Sequence, residues 1–151
     1  MNKSLKTVLG VTLLEIMLVL AVAAMIIVMS VRYYQSANAT QQGNSLMQQF
    51  TAIAAAADSL AQATGTYTGG NVGTATIKGI VGTAGMTTPW GDQITIGTVS
   101  ATTFVVSAAT TPVAVCQLLT SKLQAGGHWS GLTACGTTGT ATFSATYTAN
   151  V

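Results

Sequence analysis

The chain has 151 residues, of which 5% are charged: five lysines and arginines, three carboxylates and one histidine. That balance supplies neither the basic stripe needed for nucleic acid nor an acidic face for cations. The length allows one domain together with a segment able to cross a bilayer. Only the first fifth of the chain is continuously apolar. The remainder is rich in Thr, Ala, Gly and Ser with short β-branched runs, and it reads as a soluble head with a polar, nearly uncharged surface.

Residues 1–10, MNKSLKTVLG, are too short and polar to fold alone. Lys3 and Lys6 fit the positive-inside rule, which places this leader in the cytoplasm and the head outside. An ordinary signal peptide has its cleavage site after the apolar core. Here Gly10 precedes the apolar run 11–31, so cutting there leaves the membrane segment on the mature chain.

Val11 to Ala63 contain no proline and a single glycine, Gly43, and are expected to form one long helix. Residues 11–31 would span about 31 Å at 1.5 Å per residue, matching the hydrocarbon core. Glu15 is the only charge between Lys6 and Arg32. At the centre of a spanning helix a carboxylate costs roughly 2.5–3.5 kcal/mol, so a later gain must offset it. Over 32–63 the pattern turns amphipathic. Leu46, Phe50, Ile53, Ala57 and Leu60 form one apolar stripe, expected to pack on the head. Gln41, Gln42, Gln48, Gln49 and Asp58 lie mostly off it, and Gly65 is a stop signal.

The head is expected over 64–151. Thr64 to Gly85 read as a loop with a short structured piece. Thr88-Pro89-Trp90-Gly91-Asp92 read as a turn that the Asp92 side chain stabilises by hydrogen bonding. Strands at 93–98 and 102–108 make a hairpin. Thr111 as N-cap and Pro112 at the first helical position start a helix that reaches about Gln124 and stops at Gly126-Gly127. Cys116, Leu119 and Leu123 share one face, with Val115 and Leu118 alongside. Thr140 to Thr148 alternate Ala141, Phe143, Ala145 and Tyr147 with polar residues, the pattern of a half-buried strand. The expected class is α+β: a long N-terminal helical stalk and a small head of antiparallel sheet plus a short helix.

Cys116 and Cys135 are the only cysteines. With the chain anchored or exported, a disulfide is the expected state, and closing the loop would contribute about 3 kcal/mol. Two independent buried thiols are the alternative. A zinc site needs more ligands than two cysteines and His128. No cofactor, metal or catalytic group is expected. Beyond Glu15 the carboxylates are Asp58, on the helix, and Asp92, in the turn, and no nucleophile motif surrounds a serine. His128-Trp129, between glycines, reads as an exposed loop, or as part of a contact surface.

Gly10-Val11-Thr12-Leu13-Leu14-Glu15, opening an apolar run, resembles the processing motif of type IV prepilins. Val31-Arg32-Tyr33-Tyr34-Gln35-Ser36-Ala37 resembles the type IVb branch, close to bundle-forming pilins and conjugative thin-pilus pilins. Pro89-Trp90-Gly91 is similar to the turn that opens the sheet in type IVb heads. The resemblance implies that a prepilin peptidase cuts after Gly10 and methylates the new amine of Val11. It further implies a single-pass prepilin in a bacterial inner membrane, its head periplasmic. An ATP-driven inner-membrane machine would then draw it into an extracellular homopolymeric pilus. In that filament Glu15 would pair with the Val11 amine of a neighbouring copy. Val11 and Glu15 are four apart on a helix, so the pair could also close within one subunit. Cys116, set on a helix in the C-terminal half, follows the family. Direct nucleic-acid binding is not expected. The rival classes are a minor pilin, or a secretion pseudopilin, whose head usually carries a calcium loop with several carboxylates.

Overall fold

A proline-free stretch with one interior glycine near its middle has nothing to break a helix, and it forms one. The structure, a computed structural model, describes residues 13–68, 70–97 and 99–149. Helix α1 runs from Leu13 to Thr64, 52 residues. It ends at Gly65, whose φ of 77° is the left-handed conformation that closes helices at little cost in glycine, and whose N–H reaches the Ala61 carbonyl at 2.6 Å. The chain divides into two units, Met1–Ala37 and Asn38–Val151. In the first unit the described residues are all helical and almost wholly exposed.

The second unit holds the remaining elements: α2 (Thr74–Gly85), β1 (Ile94–Gly97), β2 (Thr103–Pro112), α3 (Val113–Ala125), β3 (Trp129–Ser130) and β4 (Thr140–Thr148). The four strands form one antiparallel sheet in the order β1-β2-β4-β3. Phe104, Val106 and Ala108 of β2 and Phe143, Ala145 and Tyr147 of β4 are buried, one face of the sheet. Of the stripe expected from the sequence, Leu46, Phe50, Ile53 and Ala57 are buried and Leu60 is partly buried. Phe50 stands 6.2 Å from the Phe143 ring and 5.7 Å from Trp129. Apolar area removed from water here supplies most of the stabilisation, at roughly 25 cal/mol per Å².

Cys116 on α3 and Cys135 in the loop before β4 form a disulfide. It ties the loop 131–136, which is held to β4 by a Thr133 N–H bond to the Ser144 carbonyl at 3.0 Å. Gly43 on α1 makes room for the Leu118 side chain of α3. A Cβ there would stand 2.5 Å from Leu118 Cδ2, closer than side-chain atoms approach.

Several local expectations are corrected. Residues 74–85 form α2 rather than mostly loop. Its glycines argue against helix by about 1 kcal/mol each, and Gly82 (φ 77°) interrupts it. Tertiary contacts hold it nonetheless: Ile77 is fully buried, the Thr74 hydroxyl accepts the Ile96 N–H at 2.9 Å, and Gln49 donates to the Ala84 and Thr87 carbonyls. Helix α3 is capped by Pro112, not Thr111. Pro112 still pairs with Thr140 in the sheet, and the Thr111 hydroxyl donates back to the Ala108 carbonyl at 3.0 Å. The first helical N–H, of Val113, is met by the Gly139 carbonyl. In the turn at 88–92 it is the Thr88 hydroxyl that bonds, accepting the Asp92 N–H at 2.9 Å. Trp129 is not in an exposed loop. It pairs with Tyr147 in the sheet and is 8% exposed.

Candidate functional site

Glu15 lies exposed in the first turn of α1, where a carboxylate suits the positive end of the helix dipole. The helix after it is apolar on every side: Leu14, Met17, Leu18, Leu20, Met25, Ile26, Ile27 and Met29 are all at least 60% exposed. Its most apolar 18 residues have a mean hydropathy of 2.7 and are not buried, so this helix is long and apolar enough to cross a membrane. A helix that is hydrophobic all round must find a non-aqueous surrounding. Gly10 and Val11, the expected cleavage site and new N-terminus, lie outside the described residues.

A second cluster, in the Asn38–Val151 unit, escaped the sequence reading. Asp58 projects from the polar border of the α1 stripe, one position after Ala57. Its Oδ1 accepts the Tyr67 hydroxyl and its Oδ2 accepts the Tyr147 hydroxyl at 2.8 Å. Tyr67 follows α1 by a short turn, and Tyr147 lies near the end of β4. One carboxylate thus joins the helix, the segment after it and the last strand. The rings continue the cluster: Phe104 stands 5.3 Å from both Tyr67 and Tyr147, and Trp129 5.0 Å from Tyr147. The available signal was a lone carboxylate beside an apolar stripe, in a chain with only three carboxylates and four tyrosines. Nothing in the spacing named its partners.

Burial, then the hydrogen bond and negative charge of Asp58, push Tyr147 from 10 up to about 12 and raise Tyr67 further. Both phenols therefore remain donors throughout the neutral range. Each holds its proton more tightly folded than unfolded, so its contribution to stability is complete below pH 10 and is lost as pH rises through about 12. The melting temperature is expected to fall steeply above pH 10, and Tyr147→Phe to flatten that fall. An equal alkaline slope in both proteins would show that Tyr147 carries none of it.

A cleft of about 360 Å³ opens beside the cluster, lined by Asp58, Gln62, Thr66, Tyr67 and Thr102 among others. His128 is exposed, its ring 6.1 Å from Tyr147. Among the described residues no three His, Cys, Asp or Glu side chains gather as a metal site would require. What the structure brings together chemically is the Cys116–Cys135 disulfide and the Asp58 clasp, both of which hold the fold of the second unit.

No known protein family matches the chain, and no curated protein matches it either.

Proposed function

We propose that the chain is a structural subunit of a type IVb-like pilus. It is processed after Gly10 by a prepilin peptidase, held in the inner membrane by α1, and polymerised through that helix by the pilus assembly machinery. The observation that carries this reading is Glu15: a single carboxylate in the first turn of an exposed apolar helix, five residues after a glycine. The apolar helices of neighbouring copies exchange a lipid surrounding for one another. Because lipid is as apolar as they are, close packing and polar pairing rather than burial from water favour the exchange. Cleavage creates a cation at Val11, and a carboxylate in apolar surroundings is tolerated when paired. Its partners are other copies of itself, the peptidase, the assembly machinery and, before assembly, the bilayer. The disulfide suits a head on the oxidising side of the membrane.

The test is co-expression with a prepilin peptidase, followed by mass spectrometry of the membrane fraction and of sheared surface material. The expected product begins at methylated Val11 and is the main component of helical filaments. A chain that keeps residues 1–10 beside an active peptidase overturns the reading.

A further inference from the structure

Arg32, Tyr33 and Tyr34 follow the apolar run directly, and the two rings are 79% and 71% exposed. Consecutive helical residues point about 100° apart, so the three side chains fan over about 200° of the circumference. That is poorly suited to one groove in a partner protein, which would meet a single face. It suits a medium that surrounds the helix. Tyrosine has an apolar ring and a polar end, and concentrates where hydrocarbon meets headgroups. Arginine adds donors that match phosphate oxygens.

The spacing within the helix supplies the second argument. Residues 16–31 carry no charge and span about 24 Å at 1.5 Å per residue. A hydrocarbon core is about 30 Å thick, so the run fits only with a charge near each face. The small deficit is within reach of a snorkelling arginine and slight local thinning.

We infer that Arg32, Tyr33 and Tyr34 form a collar that binds the phospholipid headgroup layer and fixes the depth of α1, holding Glu15 near the opposite face of the hydrocarbon rather than at its middle. This rests on the reading of α1 as a membrane-spanning helix. Depth set this way leaves Glu15 hydrated before assembly, where its charge is far easier to keep than at the midplane.

The test uses the full mature chain in sealed vesicles of phosphatidylethanolamine and phosphatidylglycerol. Both native cysteines are in the disulfide, so one introduced cysteine is the only free thiol. Cysteines replacing Ala24, Ser30 or Ala37 are reacted with a membrane-impermeant maleimide. Ala24→Cys is expected to be protected, and Ala37→Cys to react about tenfold or more faster than Ser30→Cys. Changing both tyrosines to leucine carries the apolar surface outward, and Ala37→Cys should then react nearly as slowly as Ser30→Cys. Changing both to tryptophan should preserve the native contrast. An unchanged contrast in the leucine pair, with Ala24→Cys still protected, overturns the collar alone. Rapid labelling of Ala24→Cys in the otherwise native chain overturns the spanning segment, and the collar with it.

Discussion

Glu15→Ala is expected to leave leader removal intact and to abolish filaments, so that sheared surface material seen by electron microscopy is bare while processed subunits accumulate in the membrane. The physical argument runs through position. Mid-membrane, a carboxylate would cost roughly 2.5–3.5 kcal/mol, and removing it would help insertion. At the edge of the hydrocarbon, about 25 Å along the helix from Arg32, the cost is small. If the collar holds it at that edge, Glu15 is a weak burden on the inserted chain. It becomes consequential only when helices pack together away from water, where an uncompensated charge is strongly unfavourable and a paired one is tolerated. On the proposed reading the partner amine at Val11 does not exist until the leader is removed, which would restrict packing to processed chains. Glu15→Gln keeps the size and loses the charge, and is expected to behave as Glu15→Ala does. Native filament yield from either variant would sink the role of the carboxylate. If the pair closes within one subunit, copies carrying Glu15→Ala should still fail when mixed with native copies. If it closes between subunits, such copies should enter mixed filaments in part.

Legibility followed the range of the forces involved. Helix α1 was readable because the absence of proline over dozens of residues is a local property, and its ending at Gly65 was visible in one residue. Strand β4 was readable to its boundaries, Thr140–Thr148, since strict alternation over nine residues has few other readings. The two cysteines were expected to pair because the chain reads as anchored or exported, and they do. Errors arose where a distant partner decides the local state. Helix α2 has glycines that local propensity reads as loop, and it is held by Gln49 from another helix. Trp129 looked exposed because glycines flank it, while its burial comes from Tyr147 and Phe50, far away in the sequence. Thr111-Pro112 has the composition of a helix start, yet the β2–β4 ladder extends through both residues and delays the helix to Val113.

Asp58→Ala should be among the most damaging single changes in the Asn38–Val151 unit. Tyr67 and Tyr147 are 1% and 8% exposed, and both hydroxyls donate to Asp58. Truncating Asp58 leaves two buried donors without their acceptor, each costing about 1–3 kcal/mol. The expected loss is about 3–5 kcal/mol, a large share of the 5–15 kcal/mol typical of a folded domain. Urea unfolding of the full chain in detergent with the disulfide intact, followed by the fluorescence of Trp90 and Trp129, measures it. Tyr147→Phe should cost less, about 1–2 kcal/mol, because Asp58 keeps its bond to Tyr67. The decisive comparison adds Tyr67→Phe and Tyr147→Phe to Asp58→Ala. If the damage comes from stranded hydroxyls, removing them should restore about 1–3 kcal/mol relative to Asp58→Ala alone. If instead the three losses simply add, the clasp is three independent contacts. A loss below about 1 kcal/mol for Asp58→Ala would mean that water replaces the carboxylate without penalty. The cleft beside the cluster is lined by Asp58 and Tyr67, so water entering it would meet that side of the clasp first, and the fraction restored measures how dry the clasp is.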